Sequence, residues 1–208
     1  MDILFLILML GINGLISWWN CRVVGQAWVE VNQLGGFWMK AVVWSGAFQA
    51  VVGFSMLYLF ALVGLGNVVA QFFESGPAII SQVNNIAMST WYLLIIIPAL
   101  GTGYILTVHA WIAFARERTL MNAAGAGWNT FASIYNTYHA IDGISSSAGV
   151  LGEAISGALD SDTDAKAKVL ILGIILAIGS LIGGYFTARY LILKYSATLP
   201  LPQQHEYA

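Results

Sequence analysis

Residues 41–66 read AVVWSGAFQAVVGFSMLYLFALVGLG, an apolar run without a single charged side chain. A helix needs about 20 such residues to cross the ~30 Å hydrocarbon core of a bilayer. Residues 3–19, 91–115 and 169–193 form three further runs of this kind, and Arg189 is the only charged residue in them. The sequence therefore predicts an all-α integral membrane protein with four transmembrane helices.

Composition indicates the same class. Of the 208 residues, 59% are hydrophobic and only 9% are charged, whereas soluble domains contain about 25% charged residues. Most of the surface must face lipid, so the bilayer is the first expected partner and residues 1–208 are predicted to form a single membrane domain. The chain has eight Lys and Arg residues and a net charge of −2. It offers no basic surface for phosphates, and nucleic acid is not an expected partner.

The predicted spans are joined by connections at 20–40, 67–90 and 116–168, and a tail follows at 194–208. Six of the eight positive residues lie in the first and third connections: Arg22, Lys40, Arg116, Arg118, Lys166 and Lys168. Positive residues favour the cytoplasmic side of a membrane. The distribution predicts that these two connections are cytoplasmic and that both termini lie outside (N-out and C-out), although Arg189 and Lys194 favour the opposite placement of the C-terminal end.

The third connection contains an aromatic stripe. Its members are spaced 3, 4 and 3 residues apart, as on one face of a helix: Trp128, Phe131, Tyr135 and Tyr138. Neutral polar residues, including Asn129 and Ser133, fall on another face. Such a helix could lie in the membrane interface, pack against the protein's own helices, or contact a partner. Because residues 20–40 show a similar pattern, both cytoplasmic-side connections are predicted to contain amphipathic interfacial helices.

Small residues indicate where the spans pack closely. In the fourth span they form two overlapping small-xxx-small pairs, which let helix backbones approach one another in lipid: Gly179 with Gly183, and Ser180 with Gly184. They favour packing within the chain or between subunits. Gly46 and Gly53 lie seven residues apart and are predicted to share one face of the second span. In the third span Pro98, with Gly101 and Gly103, predicts a kink.

Polar residues in the spans are few, and none is Asp, Glu or Lys. Transporters that move ions usually carry such groups inside the membrane, so ion-coupled transport is not expected. Asn13 and Gln49 are predicted to form hydrogen bonds between helices, with a neutral pore lining as the alternative. His109 is predicted to be a hydrogen-bonding residue. With three scattered histidines, one cysteine and no phosphate-binding or nucleophile motif, the chain is predicted to be non-enzymatic, without a cofactor or metal site.

The leading hypothesis is a structural subunit of a larger membrane assembly, formed with its own copies or with other membrane subunits. The alternatives are a holin-like homo-oligomeric pore, and membrane fusion or remodelling by residues 122–159. The Gly-, Ala- and Ser-rich residues 143–159 resemble viral fusion segments and small phage or secretion-system membrane subunits in composition, but no motif accompanies the resemblance. The hypothesis covers a cellular membrane and a virion envelope equally.

Overall fold

A computed structural model describes residues 3–159 and 164–197. These residues form five helices: α1 Ile3–Leu34, α2 Phe37–Ala70, α3 Gly76–Arg116, α4 Leu120–Leu159 and α5 Asp164–Ser196. Within these ranges the connections between helices are short, and no strand occurs. The all-α prediction is confirmed. Residues 160–163 of the third predicted connection and residues 198–208 of the predicted tail lie outside the described residues.

Three of the described helices are long and apolar enough to cross a membrane, namely α2, α3 and α5. They contain the predicted spans at 41–66, 91–115 and 169–193. This supports the predicted class of helical membrane protein. The first predicted span, residues 3–19, forms part of α1, which is not among the three, so the count of four spans stays a prediction.

The helices extend further into the predicted connections than the sequence indicated. Residues 20–34 continue α1 up to the break at Gly35 and Gly36, and α4 runs as one 40-residue helix. The Gly- and Ser-rich composition of residues 143–159 does not interrupt α4, because glycine costs a helix only about 1 kcal/mol and the segment contains no proline. The Gly76–Pro77 pair marks the start of α3, where proline is well tolerated.

Consecutive helices run in opposite directions. Their residues pair in antiparallel order: Asn13–Gly53 and Trp28–Trp44 for α1 and α2, Gln49–Thr102 and Asn67–Asn84 for α2 and α3, and Tyr92–Gly143 and Thr107–Ser133 for α3 and α4. The contacts Cys21–Ala188 and Gly25–Ile192 show that α5 is parallel to α1. Thus α1, α3 and α5 share one direction, and α2 and α4 have the other.

The centre of the bundle is formed by α2, α3 and α5, which contact one another. On its outside, α1 packs on α2 and α5, while α4 packs on α3 and α5. One apolar cluster joins the three central helices: Leu59, Ala87, Trp91, Ile95 and Ala177. Within it the Trp91 indole N–H donates to Ser55 Oγ over 2.9 Å, so the polar atom of this buried ring is satisfied.

Small residues allow the backbones of α5 and α2 to meet. The buried residues of α5 form one stripe that includes Gly173, Ala177, Ser180, Gly184 and Ala188. A Cβ added to Gly184 would lie 2.5 Å from Ser55 N and 2.6 Å from Val51 O. The predicted small-residue groove therefore packs inside the chain at this point.

Candidate functional site

The face of α4 turned toward α3 carries a row of hydroxyl groups. Thr107 Oγ1 of α3 donates to Asn129 O over 3.1 Å and shares a 2.8 Å hydrogen bond with Ser133 Oγ. On either side of Thr107 along α3, Tyr104 shares a 2.8 Å hydrogen bond with Thr137, and the Trp111 indole N–H donates to Thr130 Oγ1 over 2.9 Å. We call these contacts the hydroxyl seam. It joins α3 and α4 along the part of α3 that contains the predicted third span.

The opposite face of α4 carries the predicted aromatic stripe, which we call the α4 ladder: Trp128, Phe131, Tyr135 and Tyr138. The exposed fractions of its members are 57, 60, 53 and 73%, in that order. The first three rings lie close together, with centroids 6.1 Å apart for Trp128–Phe131 and 5.9 Å apart for Phe131–Tyr135, whereas the Tyr138 ring lies 5.1 Å from that of His139. The stripe is present, and each of its four rings is more than half exposed, although Trp128 also lines a cavity beside α1. Most of the stripe is therefore not covered by the protein's own helices, and its role stays a prediction.

Along the hydroxyl seam the polarity of α4 is the reverse of that of a helix on a water-soluble protein, in which the polar face is the outer one, although the nearby Asn136, His139 and Asp142 are exposed. Here the hydroxyl groups bond to α3 and the aromatic rings face outward. Polar side chains that bond to a neighbouring helix are what a lipid environment requires, because no water is present to satisfy them. The exposed α4 ladder is then available to lipid or to another protein.

The two polar residues considered as pore-lining form hydrogen bonds inside the bundle. The Asn13 side-chain amide donates to Gly53 O over 3.2 Å, and the Gln49 amide donates to Thr102 Oγ1 over 2.8 Å. His109 is partly buried, and its Nδ1 atom has no hydrogen-bond partner among the described residues. The predicted role of His109 as a hydrogen-bonding residue therefore finds no partner at Nδ1 within the described part of the chain.

Replacing Gln49 by leucine is expected to lower the free energy of unfolding by about 1 kcal/mol, the usual contribution of a hydrogen bond between membrane helices. The change removes the donations from Gln49 to Ala99 O and Thr102 Oγ1. Denaturant unfolding in detergent micelles, followed by tryptophan fluorescence, measures the effect. Gln82→Leu is the matched control, because Gln82 is exposed and bonds to no described residue. Equal losses in the two variants would contradict the assignment.

A cavity of about 660 Å³ lies between α1 and α4, which do not pack against each other. Trp19 and Asn20 line it from α1, Trp128 and Asn136 from α4, and Gln49 lies at its base. The lining is neutral, with carboxamides beside tryptophan rings. It holds no acid, base or thiol for catalysis.

The glycines and the proline singled out in the sequence have different surroundings. Gly46 and Gly53 both face α1, where an added Cβ would collide with Val24 and Ser17 respectively. A Cβ added to Gly183 would lie 3.1 Å from the Tyr58 ring. A Cβ added to Gly179 or to Gly101 would have nothing within 4 Å. One added to Gly103 would lie 3.5 Å from Ser133 Oγ. Helix α3 continues through Pro98, and the predicted kink stays a prediction.

Two features of this region were not predicted. Thr130, Ser133 and Thr137 are spaced 3 and 4 residues apart, so the hydroxyl seam has a helical period that could have indicated it. The bond from Trp91 to Ser55 joins residues 36 positions apart in the sequence, and no local pattern indicates such a pair.

Within residues 3–159 and 164–197, no group of three or more His, Cys, Asp or Glu side chains is placed to hold a metal ion. No protein-family model matches the chain, and no curated protein or solved structure matches it.

Proposed function

We propose that this protein is a non-enzymatic structural subunit of a membrane assembly and that the α4 ladder is its contact surface. The observation that supports the proposal is the outward exposure of four aromatic side chains on a helix whose hydroxyl groups are bonded to α3. Aromatic residues are enriched in protein interfaces and often carry much of the binding energy. The partner is a second copy of the chain or another membrane subunit.

The length of the α4 ladder favours protein contact over anchoring at the headgroups alone. From Trp128 to Tyr138 is ten residues, which on a helix is ~15 Å. A belt of tryptophan and tyrosine at the membrane interface occupies only the headgroup level, whereas ~15 Å is about half of the hydrocarbon core. A continuous aromatic strip of this length gives a partner helix several neighbouring positions for packing.

The double substitution Phe131→Ala and Tyr138→Ala is expected to weaken assembly by about 2 kcal/mol, or roughly thirtyfold in the dissociation constant, as for interface hot spots. Both side chains are exposed in the single chain, so its own stability should change little. Mass measurement in lipid nanodiscs, at several ratios of protein to lipid, follows self-association. The control is Phe72→Ala with Tyr190→Ala, which removes one exposed phenylalanine and one exposed tyrosine outside α4.

If the control pair weakened assembly as much as the α4 pair, general loss of aromatic surface would explain the result and the α4 ladder would lose its role. A wild-type protein that is monomeric in nanodiscs and retains no other subunit from its native membrane would overturn the structural-subunit proposal. Release of dye from liposomes, abolished by Gln49→Leu, would instead favour the pore. The pore has less support from the geometry, because Asn13 and Gln49 donate to residues of the chain itself.

We also propose that α4 crosses the membrane, which gives five spans with α1 included and places the termini on opposite sides. The proposal is supported by the antiparallel contacts of α4 with α3. Tyr104 and Thr107 belong to the predicted third span. Their respective partners, Thr137 and Ser133, therefore lie at the same depth in the membrane. A helix resting on the surface of the membrane could not make these contacts along the span.

Positive charge is compatible with this topology. The end of the bundle at which α1, α3 and α5 finish, together with the adjoining helix halves, carries six of the eight positive residues. They are Arg22, Lys40, Arg116, Arg118, Arg189 and Lys194. The other end has Lys166 and Lys168 beside Glu74, Glu153 and Asp164, with Lys168 and Asp164 paired at 2.8 Å. Four spans with both termini outside also give six of eight, so charge does not distinguish the two topologies. The α3–α4 contacts favour the five-span topology, with the C-terminal end in the cytoplasm.

A further inference from the structure

A second cavity, of about 940 Å³, forms an open groove between α2 and α5. Its sides are hydrocarbon and aromatic groups, among them Val51, Leu181 and Tyr185. Trp28 and Trp44 lie at one end, with their rings 4.9 Å apart. We call this cavity the α2–α5 groove. It is separate from the hydroxyl seam and the α4 ladder, on which the proposed function depends.

One charged residue, Arg189, lines the α2–α5 groove. Its side chain is exposed, and it forms no hydrogen bond or ion pair with the described residues. Arg189 lies inside the predicted fourth span, at 169–193. A guanidinium group at membrane depth is costly unless an anion accompanies it or it reaches the headgroups. No acid of the described chain pairs with Arg189, so its charge is open to an anion from the surroundings, such as a lipid headgroup.

The dimensions of the α2–α5 groove correspond to one leaflet. Along α5 it extends from Leu181 to Leu193, twelve residues or ~18 Å, and one leaflet accounts for about half of the ~30 Å hydrocarbon core. Arg189 is nearer the end that holds the tryptophan pair. Tryptophan is enriched at the membrane interface, so the positive charge lies toward the headgroups and the apolar part of the groove toward the bilayer centre.

We propose that the α2–α5 groove binds an anionic phospholipid, with its phosphate on Arg189 and an acyl chain along the apolar wall. A charged headgroup joined to a long apolar chain is the ligand that matches both parts of this site. The guanidinium group binds phosphate through two parallel hydrogen bonds. The bilayer delivers such a ligand laterally, into a groove that is open along its length.

The test measures lipid binding to the full chain in detergent by native mass spectrometry, with phosphatidylglycerol and phosphatidylcholine of the same acyl chains. The wild type is expected to bind phosphatidylglycerol about fivefold more tightly, the effect of one basic residue near anionic lipid. Arg189→Gln should remove this preference, while Arg118→Gln, at an exposed position in the α3–α4 connection, should retain it. Ile182→Trp, which fills the apolar wall, should weaken binding of both lipids.

Three results would overturn the proposal. Equal affinity of the wild type for the two lipids would show that the net negative charge of the headgroup has no role, because both lipids carry the phosphate. Equal loss of preference in Arg118→Gln and Arg189→Gln would indicate general surface charge. Inorganic phosphate that displaces phosphatidylglycerol at millimolar concentration would indicate a simple anion site without an acyl chain. The α4 ladder variants should leave lipid preference unchanged, so failure here is distinguishable from failure of the assembly proposal.

Discussion

Gly184→Ala is expected to lower the free energy of unfolding by about 2–3 kcal/mol, the upper part of the range for overpacking a well-packed core. The added methyl group would lie 2.5 Å from Ser55 N, 2.6 Å from Val51 O and 2.8 Å from Ser55 Cα. All three atoms belong to the backbone of α2, so no side chain can rotate to make room. The two helices would have to separate, which would disturb the adjacent bond from Trp91 to Ser55.

The matched control is Gly179→Ala, five residues earlier in the same helix. An added Cβ at Gly179 has nothing within 4 Å, so only helix propensity changes, and alanine is preferred over glycine by about 1 kcal/mol. The two substitutions are thus expected to have opposite signs. Denaturant titration in detergent micelles, followed by tryptophan fluorescence, measures both. A Gly184 variant as stable as the wild type would show that α2 and α5 do not meet closely at this position.

This pair of glycines illustrates what the sequence could and could not predict. The small-xxx-small pattern marked Gly179, Ser180, Gly183 and Gly184 as one groove because it depends only on spacing. Ser180 is fully buried, and Gly183 and Gly184 face α2, whereas Gly179 is open. Which member of such a pattern meets a neighbour depends on how the helix is rotated in the bundle, and spacing within one helix carries no information about that.

The hydrophobic runs were predictable for a similar physical reason. Crossing lipid requires an uninterrupted apolar stretch, so the runs at 41–66, 91–115 and 169–193 were evident in the sequence and fall in α2, α3 and α5. Helix α4 is different. The hydroxyl groups of its residues 130–137 bond to α3, and hydroxyl groups satisfied in this way lower the apolar content of a helix without leaving unpaired polar atoms. A search for apolar stretches passes over it.

Cysteine labelling is expected to give an all-or-none result that decides whether α4 crosses the membrane. Cys21 is fully buried, so Cys21→Ser supplies a background without a reactive thiol. Single cysteines replace exposed residues in that background: Ser75 between α2 and α3, Thr119 between α3 and α4, and Ala197 after α5. In intact cells an impermeant maleimide should label the Ser75 position only, and the other two only after the membrane is permeabilised.

The Ala197 position distinguishes the two topologies. If α4 crosses, α5 returns the chain to the side that holds Thr119, because α3 and α5 are parallel and both end there. If residues 116–168 stay on one side, α5 ends on the side of Ser75, and Ala197→Cys should be labelled in intact cells as readily as Ser75→Cys. Labelling at Thr119 in intact cells would indicate that the whole bundle has the opposite orientation, with the same number of crossings. Comparing Ala197 with Thr119 therefore tests the fifth crossing independently of the overall orientation, and both topologies place the positively charged α3–α4 connection in the cytoplasm.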